Sequence, residues 1–141
     1  MQAGYRKETE RANVMTNVMI VEDQELQRDI VTRALEGSGR YKVVHAIDNA
    51  DMADLYLAGG QVDLVLMDIY TAFGADGLEA SERIKKDFPD VKIIITTSMP
   101  EADWIARAKK AGVESFWYKE VNADAIVSIC DRTLAGESVY P

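Results

Sequence analysis

The chain has 141 residues, 48% of them apolar and 28% charged, with a formal net charge of −8. That length fits one domain with a real core, and the charge repels nucleic-acid backbones and anionic lipid, so this chain is a poor candidate to grip either by itself. No apolar run approaches the roughly 18 residues of a membrane span, the polar N-terminus lacks a signal-peptide core, and the single cysteine, Cys130, permits no internal disulfide; a cytoplasmic protein is expected.

Residues 1–17 are mostly polar, with charges clustered at Arg6, Lys7, Glu8, Glu10 and Arg11 and no clear period. They read as a leader or flexible extension, in which Met15 offers an alternative start. From Val18 short apolar runs alternate with amphipathic stretches, the pattern of β-α units around a parallel sheet. A strand VMIV at 18–21 precedes a helix over 24–37, and YKVVHAI at 41–47 precedes one over 50–59. LVLM at 64–67 is followed by a helix over 77–88, with Pro89 beyond it, and KIIIT at 92–96 by one over 101–111. SFWY at 115–118 leads into the clearest helix, 123–135, where Ile126, Ile129, Cys130, Thr133 and Leu134 share one stripe. Gly37 and Gly112 stand where a left-handed residue closes a helix.

Several of these strands are apolar on both faces, as expected when helices cover both sides of a sheet. The expected fold is therefore α/β: a doubly wound, five-stranded parallel sheet of order 2-1-3-4-5, flavodoxin-like, with ligands at the carboxyl ends of the strands. Those ends carry Glu22 and Asp23 after the first strand, Asp68 after the third, Thr97 after the fourth and Lys119 after the fifth. Two carboxylates about 4 Å apart repel by roughly 4 kcal/mol at an effective dielectric near 20, so three together call for a cation. An all-oxygen set without Cys or a second His points to Mg²⁺ or Mn²⁺ rather than zinc. With the metal in place Asp68 becomes a plausible nucleophile toward a phosphoryl group, Lys119 a fixed cation for its oxygens, and Thr97 a hydroxyl donor.

An acidic pair in VMIVED, an Asp in LVLMD, a hydroxyl residue in IIITT and a Lys in FWYKE together resemble the receiver domain of bacterial two-component response regulators, matched over residues 18 to about 135. The interval from Thr97 to Lys119 fits that family and selects Thr97 over Thr96 or Ser98. The resemblance implies that Asp68 takes phosphate from a phosphohistidine on a sensor histidine kinase, with Asp23 and Asp68 ligating Mg²⁺ directly, Glu22 acting through water and the Tyr70 backbone carbonyl completing the protein ligands. It further implies that Thr97 and Phe116 form the switch, Phe116 moving into space that Thr97 leaves. On this reading the chain is not an enzyme but a phosphoacceptor that assists its own phosphorylation and dephosphorylation, able to dimerise when phosphorylated.

Two departures from the family stand out. The segment DIYTAFGADG has Ala72 at the usual proline position and Gly77 nine residues beyond Asp68, one more than usual. Glu120 replaces the common proline after Lys119, as in receivers of the NarL/LuxR type, and GESVYP at 136–141 looks like the start of a linker to a helix-turn-helix effector domain absent from this chain, through which any DNA contact would be made. The resemblance implies that Tyr70 and Met99, two residues beyond Asp68 and Thr97, flank the path of a hydrolytic water, where their bulk is expected to slow dephosphorylation.

Blander readings exist for each residue taken alone. Asp23 could simply cap the first helix, His45 is expected to be structural, Cys130 core, and Trp104 and Trp117 either a partner surface or partly buried. A flavin binder of the same fold would need a glycine-rich loop where Glu22-Asp23-Gln24 stands. A haloacid-dehalogenase-like phosphatase would need a second Asp at the position of Tyr70. The remaining alternative is a pseudo-receiver, an interaction module that is never phosphorylated.

Overall fold

The computed structural model describes residues 14–99, 101–119 and 124–141; the basic and acidic cluster at 6–11, Glu120 and the expected helix start at 123 lie outside the described residues. The strands are β1 (Thr16–Val21), β2 (Tyr41–Ile47), β3 (Leu64–Asp68), β4 (Lys92–Thr97) and β5 (Ser115–Tyr118). They form one parallel sheet in the order β2-β1-β3-β4-β5. Helices α1 (Glu25–Gly37), α2 (Ala53–Leu57), α3 (Gly77–Asp87), α4 (Ala102–Ala111) and α5 (Asp124–Leu134) connect and follow them.

The period-two alternation of the strands divides the core into two layers. Val18, Ile20, Leu64, Leu66, Ile94 and Trp117 pack toward Leu35 of α1 and toward Ile126 and Cys130 of α5. Met19, Val21, Val65, Met67, Ile93, Ile95 and Phe116 pack toward Leu57 of α2, Leu78 and Ile84 of α3 and Ala108 of α4. Each fully buried side chain of this size contributes roughly 1.5–3 kcal/mol, so the alternation alone fixes which residues can emerge at the strand ends. Among the described residues no helix is long and apolar enough to cross a membrane.

Two local features differ from expectation. The helix expected over 50–59 is a 3₁₀ turn, Ala50–Met52, followed by the short α2; Asn49 caps the turn by accepting from the Asp51 N–H at 2.9 Å, which fixes the tighter geometry at its start. Gly37 is the last residue of α1, and the left-handed position falls on Gly39 (φ 78°), whose N–H donates to the Glu36 carbonyl at 3.1 Å. Gly112 is left-handed as expected, at φ 86°. Residues 137–141 turn back onto β5, where the Val139 carbonyl accepts from the Phe116 N–H and the Val139 N–H donates to Ser115 Oγ.

Candidate functional site

The parallel order brings the ends of β1, β3, β4 and β5 to one edge. The Glu22 N–H donates to the Ile47 carbonyl at 2.9 Å and the Lys119 N–H to the Thr97 carbonyl at 2.8 Å, so both residues continue the ladders just past their strands. Asp68 and Thr97 are the last residues of β3 and β4 and are buried. Asp23, Asp68, Tyr70, Thr97, Met99 and Lys119 line one open pocket of about 480 Å³.

Lys119 organises the charge. Its ammonium donates to Asp68 Oδ2 at 2.9 Å and also to Glu22 Oε1. Among the described residues it is the one ammonium that reaches either buried carboxylate. Burial alone would make the ammonium easier to deprotonate, but the charge of Asp68 and the hydrogen bonds that the ammonium donates to Glu22 and Asp68 outweigh it and hold the pKa above the ordinary lysine value. The other Asp68 oxygen accepts from its neighbour's Ile69 N–H at 2.8 Å. Glu22 is pinned on its own side: Oε2 accepts from the Gln24 N–H at 3.2 Å, and its carbonyl accepts from Arg28 Nη1 at 2.7 Å.

Asp23 does not cap the following helix, whose N-cap is Gln24. Its exposed carboxylate stays at the site, where one oxygen each from Glu22, Asp23 and Asp68 lie within 4.8 Å of one another. Partial burial, a hydrogen bond with Glu22 and the charge of Glu22 push the Asp23 pKa above its usual value, against the pull of Lys119. Three carboxylates facing one ammonium form a site short of positive charge, and the donor set is all oxygen, which suits a hard divalent cation. Thr97 Oγ1 accepts from the Met99 N–H at 3.2 Å, so its own proton is free to turn elsewhere.

The loop after Asp68 absorbs its extra residue at a tip. Tyr70 and Asp76 form an antiparallel bridge, flanked by Thr71 N–H to Ala75 O at 3.1 Å and Gly77 N–H to Ile69 O at 2.8 Å. The tip, Ala72–Gly74, puts Phe73 in the left-handed region (φ 60°, ψ 28°) with its side chain 94% exposed. Thr71 Oγ1 braces the turn, accepting from the Ala50 N–H at 3.0 Å and donating to the Ala75 carbonyl at 2.9 Å. Asp76 caps α3 by accepting from the Leu78 and Glu79 N–H groups. Gly77 lies so close to Asp68 that a Cβ there would collide with the Asp68 carbonyl oxygen.

Six of the seven site residues expected from sequence thus gather at or beside this edge; the seventh, Phe116, lies three residues before Lys119, buried on β5. Arg28, Gln24 and Thr71 were not singled out from sequence. Only the cap pattern Asp76 to Glu79 carried a readable signal; the others act through backbone contacts that no residue spacing announces. Trp117 is buried and Trp104 half-buried in a T-shaped contact with Tyr70, 5.5 Å between centroids. His45 is half-buried beside Tyr56, a structural placement, and Cys130 is core.

Residues 18–131 match the family model of the response regulator receiver domain. The response regulator protein VraR of Staphylococcus aureus is 33% identical over 123 residues, which are 87% of this chain and 58% of that protein. The chain therefore spans less than two thirds of the curated relatives it matches. Among solved structures, a LuxR-family two-component response regulator from Aurantimonas sp. superposes with a TM-score of 0.82 at 25% identity, covering 89% of each chain. A CheY-like receiver domain protein from Methanospirillum hungatei gives 0.78 at 24% identity, over 86% of this chain and 95% of that one, a likeness of fold.

Proposed function

This chain belongs to the response regulator receiver family of two-component signalling, and from that premise we propose that Asp68 accepts a phosphoryl group from the phosphohistidine of a sensor histidine kinase in a Mg²⁺-dependent step. The observation that carries the reading is Lys119 seated on Asp68 at 2.9 Å, with Glu22, Asp23 and Thr97 grouped beside them at the same sheet edge.

Asp23 and Asp68 would hold the metal directly, Glu22 through water, and Tyr70 by its backbone carbonyl; Mn²⁺ suits the same oxygens. Bound there, the ion neutralises acceptor and donor oxygens so that like charges can approach. One oxygen of the Asp68 carboxylate forms the new P–O bond as the donor's P–N bond breaks, and the electron pair leaves with the imidazole. Lys119, held cationic by its neighbours, turns its ammonium to the phosphoryl oxygens. Thr97 donates a hydrogen bond from its hydroxyl to another of those oxygens, and Phe116 follows as the second half of the switch.

The magnitudes are sufficient. Hydrogen bonds to a charged group contribute about 1.5–3 kcal/mol each, and about 5.5 kcal/mol takes a two-state equilibrium from roughly 1:99 to 99:1. Two or three bonds made only in the phosphorylated state supply that. The chain acts as a cytoplasmic phosphoacceptor that assists its own phosphorylation and dephosphorylation, not as an enzyme on other substrates. It dimerises when phosphorylated, and its output passes through a helix-turn-helix DNA-binding domain outside this chain.

Intact mass after incubation with Mg²⁺ and acetyl phosphate tests the reading. One hydroxylamine-labile phosphoryl adduct is expected, absent from Asp68→Asn and from a chelated sample. A folded protein that takes no adduct from acetyl phosphate or from phosphorylated kinases would return the chain to the pseudo-receiver class.

A further inference from the structure

We propose that residues 137–141 are a latch on β5 that loosens when Asp68 is phosphorylated. The inference rests on the phosphoacceptor reading above and extends it to a segment with no part in the chemistry.

Gly136, at φ 100°, turns the chain back after α5, with its N–H on the Thr133 carbonyl at 3.1 Å. β5 is an edge of the sheet, and because Lys119 N–H points toward β4, the Phe116 N–H of opposite parity points outward. The Val139 carbonyl accepts that N–H at 2.8 Å, while the Val139 N–H donates to Ser115 Oγ at 3.0 Å. The Tyr140 hydroxyl donates to the Val113 carbonyl at 2.7 Å, and its ring lies 6.1 Å from that of Phe116 and 4.9 Å from the Lys109 ammonium. Four of these contacts, the three hydrogen bonds to β5 and its approach and the Phe116 ring, sit on residues 113–116, the run that leads directly to Lys119.

That strand joins the latch to the chemistry. Phe116 to Lys119 is three steps of an extended chain, about 10 Å. On β4, Ile95 pairs with Phe116 and Thr97 with Tyr118, so Thr97 and Phe116 lie on the same face of neighbouring strands. When Lys119 and Thr97 turn from their present partners to a phosphoryl group, they pull on the end of β5 and open space beside Phe116. The Phe116 ring then withdraws from Tyr140, removing one of the few contacts that hold a peripheral segment. Segments held by so few buried contacts open at the low end of a protein's range of local stabilities. Coupling is reciprocal, so whatever phosphorylation takes from the latch, the latch takes from phosphorylation.

The test is amide exchange of the whole chain by NMR, before and after acetyl phosphate with Mg²⁺, with intact mass read on the same samples. Exchange at the Phe116 and Val139 amides should rise about tenfold on phosphorylation, within the usual 5–150-fold span of coupled sites, while Ile93 and Ile94 in β4 stay unchanged. Tyr140→Ala should raise the same two rates without phosphate and shrink the further rise that phosphorylation brings. An adduct on Asp68 with unaltered exchange at both amides overturns the latch and leaves the phosphoacceptor reading standing. Absence of any adduct removes that reading, and the latch falls with it.

Discussion

Replacing Lys119 with methionine removes the one ammonium that the two buried carboxylates share. The side chains of Glu22 and Asp68 are 7% and 12% exposed, so neither is rehydrated without movement. Breaking a buried pair by deleting one partner costs roughly 3–5 kcal/mol. Lys119 itself is 19% exposed and Asp68 opens onto the pocket, so the lower end applies, about 3 kcal/mol in a chelated sample. Methionine keeps most of the stem's volume, so the loss is electrostatic rather than a cavity. Magnesium should then distinguish the two proteins. In the wild type the ammonium and the ion compete for the same oxygens; in Lys119→Met the ion alone relieves the repulsion and should bind more tightly. Occupancy at about 100 times the dissociation constant returns about 2.7 kcal/mol, most of the deficit. Urea denaturation at neutral pH with chelator and with saturating Mg²⁺ measures both quantities. Equal midpoints for wild type and variant in chelator, or an equal gain from Mg²⁺ in both, would refute the account of Lys119 as the site's balancing charge.

Gly77→Ala should lower the urea midpoint by the equivalent of about 2 kcal/mol or more, since the new Cβ meets the Asp68 backbone and crowds the Met67 side chain; a wild-type midpoint would mean that the start of α3 shifts freely. Tyr70→Ala with Met99→Ala should shorten the phosphoryl lifetime several-fold by opening the pocket wall beside Asp68, and an unchanged decay by intact mass would exclude shielding by these side chains. Alkaline stability should fall from about pH 10 upward. Burial and the charge of Glu114 push the Tyr140 phenol up to about 12, and Lys119 is also raised. The folded chain therefore keeps protons that the unfolded chain releases first, and stability present below that range is lost as pH rises through it. Tyr140→Phe should flatten part of that loss in urea titrations across the window.

The sheet order and the site were legible for the same reason. Five runs apolar on both faces admit few arrangements other than a covered parallel sheet, and in that arrangement only strand ends can present polar groups together. Glu22, Asp68, Thr97 and Lys119 each stand within one residue of a strand's last position, so reading the ends was enough. What escaped were features set by backbone partners. The short 3₁₀ turn at Ala50 depends on Asn49 and on a brace from Thr71, 21 residues away. Gly39 rather than Gly37 takes the left-handed position because Ser38 extends the last turn, its hydroxyl donating to the Leu35 carbonyl at 2.6 Å. The return of Val139 and Tyr140 to β5 uses contacts with residues 113–116, and the six residues GESVYP carry no period from which that pairing could be read.

The longer loop after Asp68 is the departure from the family that bears most on chemistry, and its geometry shows where the extra residue is accommodated. An extra residue placed directly after Asp68 would rotate the following carbonyls out of line. Here the bridge between Tyr70 and Asp76 holds the stem, and the surplus is taken up by Phe73 and Gly74, both at positive φ. A non-glycine residue in that region costs about 1–2 kcal/mol, which the braced turn tolerates through the Thr71 bonds to Ala50 and Ala75. The stem's own hydrogen bonds use the Ile69 and Ala75 carbonyls, and among the described residues no backbone bond takes that of Tyr70. The strain is therefore displaced to the exposed tip, and the carbonyl that the receiver resemblance assigns to the metal is left uncommitted beside Asp68.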